Sequence, residues 1–235
     1  MLPNLQEHRS RMNEILGDEG SIEYSRSFPH RARSVEPRTS FIYSCWQIAV
    51  DFTFGLLAVL LILLILPVMA LLIYLDSPGP IFYSQERLGY MGKPFRIYKF
   101  RSMRPGAESN GKAIWASRHD TRVTRVGRVL RAAHLDELPQ AFNILRREMS
   151  LVGPRPEREE FAREMEMLDP AYHDRLLVKP GLTGWAQVKF GYGEGDRSEL
   201  YKLQYDLYYI AHRSCWFDFV IILKTLVEVF RFHGR

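Results

Sequence analysis

Cysteine is scarce in this 235-residue chain, and no internal repeat is visible. The two cysteines, Cys45 and Cys215, form no CxxC pair, which excludes a thiolate metal site and a disulfide framework and favours a reducing compartment. The first 40 residues lack the charged start and apolar run of a signal peptide. Because they are polar and their apolar residues do not cluster, we expect residues 1–40 to form a disordered leader.

Signatures of nucleotide-phosphate and nucleic-acid binding are also missing. The glycine-rich run at residues 191–195 lacks the Gly-Lys-Ser/Thr of a P-loop, so it does not predict a phosphate cradle. No nucleic-acid recognition motif accompanies the basic residues, and nucleic acid is therefore not an expected partner. The net charge of +5 nevertheless predicts anionic partners, such as lipid headgroups or phosphorylated substrates.

What the sequence does contain is one long apolar segment. Residues 52–75 include no charged residue and are mainly Leu, Ile, Val, Ala and Phe. At a rise of about 1.5 Å per residue, they could cross a hydrocarbon core of roughly 30 Å. We therefore predict a membrane helix at residues 41–75. The hydrophobic content of 46% also suffices for one compact domain, which we place at residues 76–235.

Pro67 lies inside the apolar segment, where a proline removes one backbone hydrogen bond and bends a helix. Basic residues flank the segment on both sides, whereas a single-spanning protein should show an asymmetry of Lys and Arg. Both observations favour a re-entrant helix that breaks at Pro67 and leaves on the cytoplasmic face. A plain span that tolerates its proline is the alternative, because prolines are common in membrane helices.

A second apolar stretch runs from Trp216 to Phe230. Its charged neighbours Lys224, Glu228 and Arg231 fall on one stripe of a helix. A narrow polar stripe on a broad apolar surface predicts a helix lying in the bilayer interface. An ordinary amphipathic helix packed on the domain fits the pattern equally well.

Basic residues are concentrated between the two apolar stretches. Residues 81–83 and 95–101 alternate as short strands do, which puts Lys99 and Arg101 on the same side of a strand. Further along, four arginines recur at every third position: Arg122, Arg125, Arg128 and Arg131. On a helix this spacing makes one basic face, suited either to the phosphate oxygens of a substrate or to anionic headgroups.

Two adjacent carboxylates, Asp136 and Glu137, precede a run of apolar residues at helical spacing. These are Leu138, Phe142, Leu145 and Met149. The spacing predicts an amphipathic helix, and Pro139, tolerated only in a first turn, puts both carboxylates at its N-terminus. There the macrodipole should keep them ionised. One could then attack phosphorus while the other holds a divalent cation; alternatively, Asp136 is only a helix N-cap.

Arg155 stands between two prolines, Pro154 and Pro156. The stiff backbone would let it present its guanidinium group to a phosphate. The alternative is a rigid linker with an exposed arginine.

Five motifs, taken together and in this order, resemble those of the bacterial sugar transferases, the monotopic phosphoglycosyl transferases. They are Asp76–Pro80, Lys99–Met103, Leu135–Gln140, Leu151–Pro156 and Lys179–Trp185. The resemblance covers residues 45–231. It implies an α+β, mainly helical, monotopic fold with a re-entrant N-terminal helix, interfacial amphipathic helices and a small catalytic domain on the cytoplasmic face of the bacterial inner membrane.

The resemblance also implies a mechanism. Asp136 would attack the β-phosphate of a UDP-sugar, release UMP and pass the phosphosugar to undecaprenyl phosphate, which initiates exopolysaccharide or other surface glycan synthesis. Glu137 would be the ligand of Mg²⁺. Four cations would neutralise the phosphates of the two substrates: Lys99, Arg101, Arg131 and Arg155.

The chain departs from the family pattern at two places. Leu66 precedes Pro67 where the family commonly has serine, and Arg147-Glu148 replaces a Gly-Asp pair. Residues 187–192 and 205–209 resemble the exopolysaccharide-initiating branch, which often uses glucose or galactose.

The expected partners are therefore a UDP-sugar, undecaprenyl phosphate and the membrane, and a homodimer is a possible assembly. The rival hypothesis is a non-enzymatic adaptor, anchored in the membrane, whose basic face binds anionic headgroups or a partner. That hypothesis explains the charge and the apolar segments, but it gives no role to Asp136 and Glu137.

Overall fold

The computed structural model describes residues 35–107, 120–190 and 196–230. Most of the predicted leader (residues 1–34), the glycine-rich run at 191–195 and Arg231 lie outside these ranges. Residues 35–40 lie against the folded domain. The Val35 N–H donates to the carboxylate of Asp174 at 3.0 Å, and the Arg38 N–H donates to the Ile210 carbonyl at 3.2 Å.

The apolar segment forms one long helix, α1 (Phe41–Asp76), of 36 residues. Ser40 caps its start, where the hydroxyl accepts the Tyr43 N–H at 3.1 Å, and the extended backbone of Ser77 ends it. Pro67 lies within the helix. Fully helical, these residues extend roughly 54 Å, well beyond a hydrocarbon core. By length and composition, α1 is the one helix in the described ranges that could cross a membrane.

A β-hairpin follows α1. Strands β1 (Phe82–Leu88) and β2 (Pro94–Phe100) pair antiparallel, with Tyr83 opposite Lys99. The tight connection requires a left-handed residue at Gly92, where φ is 72°. The strand predicted at residues 81–83 is thus only the start of a seven-residue strand.

Three short helical elements follow the hairpin: α2 (Arg125–Ala132), a 3₁₀ segment (Leu135–Gln140) and α3 (Ala141–Leu145). The amphipathic helix predicted through Met149 is therefore wrong. The chain leaves α3 after five residues because Arg147 adopts a left-handed conformation with φ of 63°. The N–H groups of Glu148 and Met149 then fold back onto the carbonyl of Asn143.

The rest of the domain is helical around one short pair of parallel strands, β3 (Ser150–Val152) and β4 (Gly181–Thr183). The helical elements are α4 (Glu159–Leu168), a 3₁₀ segment (Pro170–Leu177), α5 (Trp185–Phe190), α6 (Asp196–His212) and α7 (Cys215–Phe230). A side chain at Gly181 would collide with the backbone of Gly153, so the close approach of the two strand ends requires glycine. The α+β, mainly helical fold class is confirmed.

One flank of α1 belongs to the core of the domain. Its buried residues Ala58, Ile62 and Ile73 pack with a cluster contributed by β2, α2 and α3: Phe100, Leu130 and Ala141. Burying one such isoleucine stabilises the fold by about 1.5–3 kcal/mol. The opposite flank is apolar and exposed along its whole length, as at Leu57, Leu64 and Leu75.

Both ends of α1 contact the same domain. Near the start, the Tyr43 hydroxyl donates to Asp218 on α7 at 3.0 Å. At the end, the Asp76 carboxylate accepts the Val126 N–H at 2.7 Å. Between them, Asp51 accepts the Leu151 N–H at 2.7 Å. The helix is therefore attached to the domain at its start, in its middle and at its end.

Candidate active site

Asp136 and Glu137 lie in the 3₁₀ segment rather than at the start of an α-helix. The segment begins after His134, whose left-handed φ of 55° turns the chain away from α2. Pro139 fits the tight segment without breaking an α-helical hydrogen bond. The two carboxylates are thus adjacent and mostly buried, with Asp136 only 7% exposed.

Glu137 is the electrostatic centre of the site. Its Oε1 accepts Lys99 Nζ at 2.6 Å and Arg155 Nη2 at 2.7 Å. Burial alone would raise the pKa of Glu137, but the charges of Arg155 and Lys99 outweigh it and hold the pKa well below its usual range. Glu137 is therefore ionised, and it brings together two cations, Lys99 and Arg155, from distant parts of the sequence.

Asp136 has a different environment. Within the part of the chain that the structure describes, its carboxylate accepts no hydrogen bond. Burial and the neighbouring Glu137 raise its pKa, while Lys99, Arg131 and Arg155 oppose that rise. The prediction that a place in the first helical turn keeps both carboxylates ionised is not met at Asp136, because burial and Glu137 raise its pKa. The group is a desolvated carboxylate surrounded by cations.

The predicted phosphate-binding cations divide into two groups. Lys99, Arg131 and Arg155 act electrostatically on Asp136, so the fold brings these three together. Arg101 instead donates to the carbonyls of Ser77 and Pro78, at the turn that ends α1. Although predicted to lie on the same side of a strand, Lys99 and Arg101 contact different parts of the chain.

The predicted basic face is shorter than its spacing indicated. Thr124 caps α2, since its hydroxyl accepts the Gly127 N–H at 3.0 Å. Arg122 therefore precedes the helix, and its Nη2 pairs with Asp120 at 2.6 Å. On α2 itself, Arg131 donates from Nε to the Ser102 hydroxyl at 2.9 Å, which fixes this arginine beside the motif that follows Lys99.

Asn143 is a site-supporting residue that the sequence patterns did not identify. It is fully buried, accepts the Tyr98 N–H at 3.2 Å and donates to the Arg96 carbonyl at 2.7 Å. These bonds attach α3, just beyond Asp136 and Glu137, to the strand that carries Lys99. The available signal was a single amide inside an otherwise apolar run of five residues.

The two carboxylates also fit the coordination habits of Mg²⁺. Clusters of three or more His, Cys, Asp or Glu side chains suited to a metal do not occur in the described ranges. Mg²⁺, however, is commonly held by one or two carboxylates together with waters and substrate phosphates. Among the described residues, no donor bonds to the Asp136 carboxylate, and Glu137 Oε2 has one contact, with Arg155 at 3.4 Å. Oxygen ligands are therefore available at the site.

Sequence comparison decides the family. The profile of the bacterial sugar transferases matches residues 42–232. The chain belongs to the bacterial sugar transferase family. This confirms the resemblance of the five motifs, which all lie inside the matched region.

Three relatives illustrate the range of this family. The UDP-N-acetylgalactosamine-undecaprenyl-phosphate N-acetylgalactosaminephosphotransferase of Aeromonas hydrophila is 39% identical over 93% of this chain and 51% of its own length. The UDP-glucose:undecaprenyl-phosphate glucose-1-phosphate transferase of Escherichia coli (strain K12) is 44% identical over 74% of this chain and 38% of its own. The exopolysaccharide production protein PSS of Rhizobium leguminosarum bv. phaseoli is 39% identical over 77% and 92%.

The chain thus spans about half or less of the first two relatives. Their names specify different sugars, although their identities to this chain are similar. Overall similarity therefore does not identify the sugar.

Proposed function

We propose that this protein transfers a sugar 1-phosphate from a UDP-sugar to undecaprenyl phosphate, with Asp136 as the nucleophile. The observation that carries the proposal is the contrast between neighbouring carboxylates: Glu137 is held by Lys99 and Arg155, while Asp136 is buried beside the same cations and accepts no hydrogen bond from a described residue. The names of the relatives support the substrate classes.

The chemistry is two displacements at one phosphorus. An oxygen of ionised Asp136 attacks the β-phosphorus of the UDP-sugar, the bond to the bridging oxygen breaks, and UMP leaves with the electron pair. An oxygen of undecaprenyl phosphate then attacks the same phosphorus, and the bond to the Asp136 oxygen breaks. The nucleophile is regenerated, and the sugar has moved with its phosphate.

The surrounding cations stabilise the negative charge of this reaction. Phosphoryl transfer depends mainly on positioning and charge stabilisation, which Lys99, Arg131 and Arg155 supply from three separate elements. Glu137 keeps Lys99 and Arg155 in place before substrate binds. Arg101 has a supporting role in this proposal, because its guanidinium holds the turn after α1.

Mg²⁺ would be held by Glu137 with the substrate phosphates, and when bound it would neutralise part of the diphosphate charge. The experiments therefore include Mg²⁺ throughout.

We also propose that α1 is re-entrant and that the domain lies on the cytoplasmic face of the inner membrane. A straight span would put the two ends of α1 on opposite sides of the bilayer, yet Tyr43 and Asp76 both bond to one domain. The exposed apolar flank of α1 and that of α7, which includes Trp216 and Leu223, would then both face lipid.

Thiol labelling tests this topology. In a variant without Cys45 and Cys215, a cysteine is introduced at the exposed position Thr39 or Ser84, on either side of α1. A membrane-impermeant maleimide should label neither position in intact spheroplasts and both after lysis. Labelling of one position but not the other in intact spheroplasts would establish a plain span instead.

UMP release tests the reaction. Purified protein in nanodiscs is incubated with Mg²⁺, undecaprenyl phosphate and each of several UDP-sugars, alongside Asp136→Asn. Asp218→Asn is the matched control, because Asp218 is also a buried carboxylate, only 3% exposed, and it bonds to Tyr43 and Tyr209. We expect release from the wild type and the control but not from Asp136→Asn. Full UMP release from Asp136→Asn would overturn the role of Asp136 as the nucleophile. No release from folded wild type with any sugar would favour the adaptor.

A further inference from the structure

The loop that carries Arg155 is held by its backbone. The carbonyls of four consecutive residues, 154–157, each accept a hydrogen bond from another part of the chain. The donors, in order, are Gly181 N–H at 2.8 Å, Arg175 Nη2 at 3.0 Å, Arg87 Nη1 at 3.3 Å and Leu88 N–H at 2.9 Å. Two of these four donors are arginine side chains from segments far apart in sequence.

Arg175 is itself fixed on every side. Its Nε donates to Asp206 Oδ2 on α6 at 2.8 Å, and its Nη1 donates to the Tyr172 hydroxyl at 2.5 Å. The ion pair is buried, with side-chain exposures of 6% for Arg175 and 3% for Asp206. Burial raises the pKa of Asp206 to about 6, so the pair is charged at neutral pH.

Arg87 holds the next two residues of the loop. Its Nη1 lies 3.3 Å from both the Pro156 carbonyl and Glu157 Oε2. Glu157 is itself mostly buried, with 11% of its side chain exposed. Each guanidinium thus combines a carboxylate and a loop carbonyl, which the planar, multi-donor shape of arginine allows and a lysine ammonium on one flexible stem does not reproduce.

We propose that Arg175 and Arg87 are positioning residues that set the location of the Arg155 guanidinium. Pro154 and Pro156 limit the backbone freedom of the loop, and the two arginines fix its carbonyls, so the Arg155 side chain reaches Glu137 from a rigid base. In this proposal, neither Arg175 nor Arg87 contacts the substrate. The inference rests on the proposed function, because it gives the rigid base its purpose: presenting Arg155 to the diphosphate.

A double-mutant cycle tests the proposal. Arg175→Lys is made in the wild type and in an Arg155→Ala background, and kcat/KM for UMP release is measured. With Arg155 present, we expect a loss of about tenfold to a hundredfold, because a misplacement of about 1 Å can cost up to about a hundredfold. In the Arg155→Ala background, the same change should cost less than about threefold, because the residue that it positions is gone. Equal losses in both backgrounds would overturn the proposal.

Two additions separate positioning from general damage to the fold. Asp218→Asn is the control. Asp218 is a buried carboxylate like Asp206, but its hydrogen bonds are to Tyr43 and Tyr209 and not to residues 154–157. Its effect on kcat/KM should therefore be the same with and without Arg155. If Arg175→Lys fails to fold, Arg87→Lys replaces it in the same cycle, with the same expected coupling to Arg155.

Calorimetric titration with UDP distinguishes failure of this proposal from failure of the proposed function. Binding requires no turnover, so the cycle can be repeated on protein that releases no UMP. Weaker UDP binding in Arg175→Lys, only when Arg155 is present, would support the positioning role even if Asp136→Asn proved fully active. Unchanged UDP affinity together with an unchanged kcat/KM would refute it.

Discussion

Two clusters of buried charged residues in this molecule contain similar residue types. They differ in how completely hydrogen bonds satisfy the charged groups. In the first, Glu137 binds Lys99 and Arg155, and the adjacent Asp136 accepts no hydrogen bond from the described residues. In the second, Arg175 donates from all three of its nitrogens to Asp206, Tyr172 and the Arg155 carbonyl. Burial of charge is therefore common to both, and the uncommitted carboxylate distinguishes the candidate active site.

The difference follows from the energetics of buried charge. Ions removed from water are tolerated when hydrogen bonds and opposite charges replace their hydration. The Arg175 guanidinium meets this condition, because each of its three nitrogens donates a hydrogen bond and Asp206 is its counter-ion. The Asp136 carboxylate meets it incompletely, and such local destabilisation is typical of functional groups.

Asp136→Asn should show the contrast between the two clusters most strongly, with a large loss of activity and a gain of stability. Loss of the proposed nucleophile should lower kcat for UMP release on the order of 10³-fold or more. Stability should instead rise by about 1 kcal/mol, because the variant removes a buried charge that accepts no hydrogen bond from the described residues. Denaturant unfolding in detergent micelles measures the second effect.

The pH dependence of that stability difference has a definite sign. The pKa of Asp136 is raised in the folded state, so protonated Asp136 favours the folded state. This contribution to the free energy of unfolding is lost as the pH rises from the usual pKa of 3.8 through the folded-state pKa. The advantage of Asp136→Asn over the wild type should therefore appear as the pH rises through this window. A variant less stable than the wild type at neutral pH would contradict the contrast between the clusters.

Glu137→Gln should lower both activity and stability. Lys99 and Arg155 would lose their common partner, and breaking a buried pair from one side costs about 3 kcal/mol. Displacement of these two cations, which are proposed to bind phosphate, should lower kcat/KM by about a hundredfold. The folded pKa of Glu137 lies well below 4.5, so wild-type stability from this group is lost as the pH falls below about 4.5. The stability gap between wild type and variant should narrow over the same range.

Asp206→Asn should have the opposite pattern of effects from Asp136→Asn, with a large loss of stability and a small loss of activity. It leaves the Arg175 guanidinium buried without its counter-ion, so unfolding free energy should fall by about 3 kcal/mol. Activity of the folded fraction should fall only about tenfold, through displacement of Arg155. If kcat fell as far as in Asp136→Asn while the protein stayed folded, the second cluster would have to be assigned a direct catalytic role.

Arg146→Ala should have the smallest effect. Arg146 is exposed, lies 5.6 Å from the centre of the Tyr98 ring and donates to the hydroxyl of the same tyrosine at 3.2 Å. Exposed contacts of this kind contribute less than about 0.5 kcal/mol. The unfolding equilibrium constant and kcat/KM should therefore each change by less than about 2.5-fold. A large loss would show that cations outside the buried clusters also serve the site.

The sequence predicted the parts of this site that are encoded by short motifs. The absence of charge over residues 52–75 predicted the membrane helix, and alternation predicted the strand that carries Lys99. The five motifs predicted the family, and one of them contains the adjacent carboxylates Asp136 and Glu137. Local pattern sufficed here because each feature is set by its own residues.

The remaining features depend on contacts between distant residues. Spacing alone predicted one helix through Met149, but the left-handed turn at Arg147 and the bonds to Asn143 end it early. Arg101 matched the pattern of a phosphate-binding residue, yet its guanidinium contacts the turn at Ser77. Arg175 was not identified, because its role appears only when α6 brings Asp206 against it.

The attachment of α1 along its length has a practical consequence for producing the protein. A fragment that lacks all residues up to Asp76 would expose Phe100 and Leu130. It would also leave the Leu151 N–H without the Asp51 carboxylate. Deleting the hydrophobic segment is therefore not a route to a water-soluble enzyme for assay or crystallisation. Detergents or nanodiscs must cover the outer flank of α1 and leave the inner flank packed, so the choice of amphiphile becomes part of the folding problem.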